Sequence, residues 1–280
     1  MARRQKNYTL FIICIIVFGI GAYRWRETIF SSLHLSKSNE KVQASNQVDK
    51  NEKHSNETGI NNQYQGEKEI PILMYHYIRQ LPNDELGRSL SVDPQSFENQ
   101  IKAIKDAGYS TITFSDLEEN NLPPKPIIIT FDDGYADAYD NAYPILKKYN
   151  IRGIFYIISD RVGDNEYLSW QQIREMAAGG MIFGSHTKSH PDLPQASSTI
   201  VKKELEESKQ DIENHINESI NDFSYPAGKY NKQVISAVYG AGYKSAVTTH
   251  FGPVKKGAKL LELPRLRITD ETNINNLLGR

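Results

Sequence analysis

From Ile70 onward the chain alternates short, unbroken apolar runs with amphipathic stretches, and this alternation narrows the fold more than any other feature. A strand covered on both faces reads as a continuous apolar run, because both rows of side chains meet a core. Such strands belong to parallel sheets with helices packed outside. Ile72 to Tyr75, Ile127 to Phe131, Gly153 to Ile158 and Met181 to Gly184 have this character. Phe223 to Tyr225, Ser245 to Thr248 and Leu263 to Ile268 are further strand candidates. Between them, Asp93-Pro94 reads as a cap followed by a first-turn proline, opening a helix with Phe97, Ile101 and Ile104 on one face. Ser169 to Ala178 predicts a helix stopped by Gly179-Gly180, and Val201, Leu205, Ile212 and Ile216 mark one face of a charged helix. The stretch from Ile70 to Arg280 is shorter than the roughly 250 residues of an eight-fold barrel. The expected class is therefore α/β, an irregular, shortened (β/α) barrel, with an open doubly wound sheet as the second choice.

The residues before Ile70 read differently. Arg3, Arg4 and Lys6 precede an uncharged, mostly apolar run from Tyr8 to Tyr23, the pattern of a segment whose basic end stays in the cytoplasm. We expect a membrane anchor or signal segment over 1–30, with retention as a single-pass anchor favoured over cleavage and release. Residues 31–69 are polar, rich in Asn, Gln, Ser, Lys and Glu and without apolar period, as in a flexible stalk. Residues 70–280 then form the catalytic body on the outer face of the membrane. The single cysteine, Cys14, lies in the apolar run, so a thiolate metal site in the body is excluded and any metal there is held by His, Asp or Glu. A net charge of -1 argues against a general nucleic-acid binder.

Thr130-Phe131-Asp132-Asp133-Gly134 closes an apolar strand with two adjacent carboxylates. Strand neighbours point to opposite faces, so both serve one site only if the chain turns at once, and Gly134 permits that turn. His186-Thr187-Lys188-Ser189-His190 follows another strand. Two imidazoles so spaced can converge on one cation, and Pro191 favours a loop over a helix there. Two histidines and a carboxylate leave open positions on a metal, as metal-assisted hydrolysis requires. His76 comes directly after the strand Ile72 to Tyr75 and is a candidate general acid on the same rim, with His250 as the reserve. Tyr225 and Pro226, which also fit an ordinary proline-glycine turn, and Tyr135, Trp170 and Phe251, aromatics of a kind more often found in a core, are candidate sugar-contacting residues.

Taken in order, these segments resemble the polysaccharide deacetylase family, carbohydrate esterase family four, whose shared domain is the NodB homology domain. The resemblance covers roughly Ile70 to Arg280. It implies Asp132 as catalytic base, Asp133, His186 and His190 as ligands of a divalent metal (zinc first, nickel or cobalt as alternatives), and Ser224 to Gly228 as a motif lining the cleft. Two departures stand out. The arginine that commonly opens the third motif is Ser224 here, and the late strand lacks the histidine that usually acts as acid. Pro71 to His76 resembles the first strand of one subgroup, the intercellular adhesion protein B type, in which the acid histidine lies there. That subgroup acts on poly-β-1,6-N-acetylglucosamine in biofilm exopolysaccharide. The resemblance thus implies a hydrolase that removes acetyl groups from an N-acetylglucosamine polymer, and we expect it to act as a monomer. Peptidoglycan, chitooligosaccharides or O-acetylated xylan are alternative substrates. A non-catalytic sugar-binding protein and a two-carboxylate glycoside hydrolase are different classes.

Overall fold

The apolar runs become parallel strands that close on themselves. The chain is described by a computed structural model over residues 62–120 and 122–279. In order, the strands are β1 (Ile72–Tyr75), β2 (Tyr77–Ile78), β3 (Ser91–Val92), β4 (Ser110–Thr111), β5 (Pro126–Phe131), β6 (Ile154–Ile157), β7 (Ile182–Ser185), β8 (Asp222–Ser224), β9 (Ser245–Phe251) and β10 (Leu263–Arg267). The main sheet runs β1-β10-β9-β8-β7-β6-β5-β4, and β1 also pairs with β5. Strand β4 therefore hangs outside, and the other seven form a closed parallel ring. The expected shortened barrel is the observed one, and the open sheet is set aside by the β1–β5 pairing, in which Leu73 lies opposite Ile129 and Tyr75 opposite Phe131.

Alternation along each strand divides the core in two. Ile127, Ile129 and Phe131 of β5, with Leu73 and Tyr75 of β1, belong to a large cluster shared with the helices. Ile128, Ile72, Ile154, Tyr156, Val247 and Leu263 form a second cluster. With both rows buried, the strands had to read as unbroken apolar runs. Further along β5 the row that begins with Ile128 turns polar, through Thr130 to Asp132, both buried. Sites in parallel α/β folds form at such strand ends.

The helices are α1 (Glu85–Leu90), α2 (Pro94–Asp106), α3 (Phe114–Glu118), α4 (Tyr143–Lys148), α5 (Trp170–Ala178), α6 (Ser198–Ile216), α7 (Lys232–Gly240) and α8 (Ile274–Leu277). Helix α2 begins as its sequence implies. The Asp93 side chain accepts from the Gln95 N–H, Pro94 occupies the first turn, and Phe97, Ile101 and Ile104 are buried. Ser169 and Gln172 form a reciprocal cap on α5.

Two expectations are adjusted. The body starts before Ile70: Tyr64 is buried, donates its N–H to the Ala258 carbonyl and accepts from Gly257. Residues 62–69 thus pack along the barrel rather than belonging to a stalk. Strand β9 continues past Thr248 to Phe251, which puts His250 in the strand. The membrane segment over 1–30 and the stalk residues up to 61 lie outside the described residues; among the described residues no helix is long and apolar enough to cross a membrane.

Candidate active site

Asp132 and Asp133 share one site because the chain turns one residue sooner than the glycine suggests. Asp133 itself is left-handed, with φ 73°, and Gly134 follows with φ 77°. A left-handed non-glycine residue costs on the order of 1–3 kcal/mol, and such strain persists where surrounding contacts over-determine it. Here it aims two sequence-adjacent carboxylates at one place.

The Asp133 carboxylate lies 3.4 Å from His186 Nε2 and 3.8 Å from His190 Nε2. One ligand atom from each of Asp133, His186 and His190 lies within 4.8 Å of the others. His186 Nδ1 is 2.7 Å from the Ser224 carbonyl oxygen and donates to it, which leaves Nε2 facing Asp133. Burial opposes charge on His186, yet the nearby carboxylates of Asp133 and Asp132 outweigh it and raise its pKa. The pocket therefore stabilises positive charge at this point. Two imidazoles and a carboxylate, converging with an open side, fit a divalent cation of the zinc type. The loop from His186 to His190 is not helical, as Pro191 implied, and both Thr187 (φ 68°) and His190 (φ 61°) are left-handed.

Asp132 stands beside this cluster and outside it. Its carboxylate accepts two hydrogen bonds from Arg265, 2.8 Å from one guanidinium nitrogen and 2.6 Å from the other. Arg265 is wholly buried and also donates to the Thr248 carbonyl, Thr130 Oγ1 and Ser224 Oγ. Burial pushes the Asp132 carboxyl up, but the charge and hydrogen bonds of Arg265 win and hold it well below the usual carboxylate range. The carboxylate stays ionised, as a proton acceptor must. The arginine missing from position 224 is thus supplied by β10. The small Ser224 side chain accepts from Arg265 at 3.2 Å, and its hydroxyl lies 3.5 Å from Asp132. Sequence reading missed Arg265. The one available signal was a cation between two apolar neighbours, in Pro264-Arg265-Leu266.

His76 reaches the same rim because β1 closes the ring against β5. Its Nε2 is 4.0 Å from Asp132 Oδ2. Burial lowers its pKa, against the pull of the Asp132 and Asp133 carboxylates, so its imidazolium gives up a proton readily.

The sugar-contacting candidates separate. Tyr135 borders a cleft of about 470 Å³ together with Asp133, Tyr167, Arg161 and His190. Its ring lies 3.6 Å from Tyr77 and 5.1 Å from Tyr167, centroid to centroid. Tyr225 does not reach the cleft. It is fully buried and donates its hydroxyl to the Leu261 carbonyl. Pro226 is buried as well. Strand parity is the reason: Phe223 and Tyr225 pack in the cluster shared with the helices, while Ser224 between them turns inward to the site. One face of Trp170 is covered by a parallel stack with His215 at 3.8 Å, and the ring packs on the core. Phe251, at the end of β9, is 74% exposed.

Residues 119–246 match the polysaccharide deacetylase family model. The YxkH protein of Bacillus subtilis (strain 168), which carries the same family name, is 35% identical over 205 residues, 71% of each chain. The Streptococcus pyogenes deacetylase PplD, solved in complex with acetate, superposes with a TM-score of 0.72 at 36% identity, over 76% of this chain and 98% of that one. The poly-β-1,6-N-acetyl-D-glucosamine N-deacetylase of Staphylococcus aureus (strain MSSA476) is 27% identical over 202 residues, 66% of this chain and 70% of its own. The chain belongs to the polysaccharide deacetylase family. It is a hydrolase of that family, and its Asp133, His186 and His190 form a candidate metal site.

Proposed function

We propose that this enzyme hydrolyses the N-acetyl groups of poly-β-1,6-N-acetylglucosamine, with zinc held by Asp133, His186 and His190 and nickel or cobalt as substitutes. The observation that carries the reading is the pairing of a carboxylate kept ionised by Arg265 with an adjacent cation pocket and a histidine 4.0 Å away. When bound, the cation supplies charge that polarises the acetamide carbonyl and the attacking water. Asp132 accepts the proton of that water. His76 gives a proton to the departing glucosamine nitrogen, and acetate leaves. The Tyr135 N–H has no hydrogen-bond partner among the described residues and is free to meet the oxyanion. Tyr135 and Tyr167 form the wall against which the sugar rests.

Two observations support this polymer over peptidoglycan or chitooligosaccharides. The acid candidate comes from the first strand, and the Staphylococcus aureus relative carries that substrate in its name. PplD with acetate supports the acyl product. The reading extends to the cell exterior. Arg3, Arg4 and Lys6 before the apolar run support a tethered enzyme, acting as a monomer on polymer outside the membrane in biofilm matrix.

The test is acetate release from poly-β-1,6-N-acetylglucosamine. Release that stops with chelator and returns with zinc is expected. Release only from peptidoglycan or chitooligosaccharides would replace the substrate. Zinc binding without release from any of these polymers would favour a sugar-binding protein. His76→Ala is expected to keep zinc and lose about 10²-fold in kcat, the lower end for a proton-transfer residue. An unchanged kcat would pass the acid role to another group, His250 first.

A further inference from the structure

We infer that Glu204, on α6, is the positioning residue that sets the shape of the metal-binding loop. The inference rests on the reading of Asp133, His186 and His190 as a metal site. In that loop two residues without glycine's freedom, Thr187 and His190, adopt left-handed backbone with φ 68° and 61°. Without glycine's freedom such backbone is disfavoured, so neighbouring contacts must hold it. Between them lie Lys188 and Ser189. Both of their backbone N–H groups donate to one oxygen of the Glu204 carboxylate, at 2.9 and 2.8 Å. The Ser189 hydroxyl donates to the other oxygen at 2.7 Å. Glu204 is 8% exposed. Three donors thus converge on one buried anion.

Consecutive N–H groups pointing at a single anion make a concave nest, which usually receives a bound phosphate or similar group. Here the anion is the protein's own, carried on a long helix. Charge-assisted bonds of this kind are roughly twice as strong as neutral ones. They fix the Lys188–Ser189 peptide, and thereby the direction in which the chain delivers His190. The remaining backbone bonds of the loop are neutral ones: the Lys188 and Thr187 carbonyls accept from the Asp160 and Ser159 N–H groups at 2.9 and 3.2 Å. Thr187 Oγ1 accepts the His190 N–H at 2.9 Å, and Ser185 Oγ accepts the Thr187 N–H at 3.2 Å. Glu204 makes no contact with either imidazole, so it acts through the backbone. Without it, two N–H groups lose their acceptor, the loop relaxes towards ordinary backbone angles, and His190 leaves the convergence point.

The experiment is zinc affinity by calorimetry and the visible spectrum of the cobalt-loaded protein, for the full chain and for Glu204→Ala, alongside the melting temperature of the metal-free proteins. Loss of an outer partner that orients a ligand typically weakens metal binding 10–100-fold, and that loss is expected here, with a changed cobalt spectrum as His190 is released. A purely structural role predicts a lower metal-free melting temperature with wild-type zinc affinity in the folded protein, which overturns the inference. Should Glu204→Ala fail to fold, Glu204→Asp keeps the charge and withdraws it by one methylene. About tenfold weaker zinc binding is expected in that variant, and unchanged affinity overturns the inference in the same way. If the wild-type protein itself binds no zinc, the metal reading fails; if it binds and the variants bind equally, only the role of Glu204 does.

Discussion

Asp132→Asn is expected to lower acetate release by about 10⁴-fold, the upper end for loss of a proton-transfer residue, while zinc stays bound. The upper end applies because the carboxylate is almost fully buried and no other ionised acceptor shares its place; Asp133 is turned towards the two imidazoles. Zinc is retained because Asp132 is not part of the Asp133, His186 and His190 cluster. The substitution has a second consequence. Among the described residues it removes the one carboxylate paired with Arg265, a guanidinium with no exposure. Breaking a buried pair from one side costs about 3–5 kcal/mol, since the surviving charge is left uncompensated. A lower melting temperature therefore accompanies the lost rate, and the two effects need separating. Combining Asp132→Asn with Arg265→Met removes both charges. The double variant is expected to regain much of the stability and none of the rate, which assigns the rate loss to the carboxylate itself. Activity of Asp132→Asn above a tenth of wild type would end its assignment as base.

The parts of this site that could be read in the chain are those whose signal is local. A run such as Ile127 to Phe131 must be covered on both sides, so the two carboxylates that end it sit at a strand end. The pair of histidines before Pro191 likewise declares itself over five residues. Legibility fails where the answer depends on partners distant in sequence or on a single step of strand parity. The β1–β5 pairing that closes the ring joins segments more than fifty residues apart, and nothing near His76 announces that Asp132 will lie beside it. Arg265 is the clearest case. In Leu263-Pro264-Arg265-Leu266 the arginine resembles a solvent-facing break in an apolar run. Only its counter-charge, 133 positions earlier, explains why it faces inward. Tyr225 failed through parity, since a shift of one residue along a strand exchanges core face for site face. Gly134 announces a turn, but nothing in the chain announces that Asp133 before it is already left-handed, with φ 73°.

Arg265→Met, alone, is expected to destabilise the metal-free protein by about 3–5 kcal/mol at neutral pH and to abolish most turnover. The cause lies in Asp132. In the wild type its carboxyl is held below the usual range, so the pair contributes stability above the unfolded value of about 3.9. That contribution is lost only as pH falls through the lower folded value. Without the guanidinium, burial is opposed only by the weaker pull of His186 and His76, and the carboxyl moves upwards. The folded variant then binds a proton more tightly than its unfolded chain, so it gains stability relative to wild type as the solution is acidified from neutrality. Denaturant melts of the two proteins at several pH values between 7 and 4 measure this. The gap is expected to be widest at pH 7 and to shrink towards pH 4. A gap independent of pH would mean that Arg265 acts by filling space against Tyr156 and the β9 backbone rather than by charge. Turnover follows the same logic. A protonated Asp132 cannot accept a proton from water, so the residual activity of the variant should rise with pH over a range where the wild type is flat. The positive charge that Ser224 does not carry thus reaches Asp132 from β10, two strands away from both β8 and β5 in the ring.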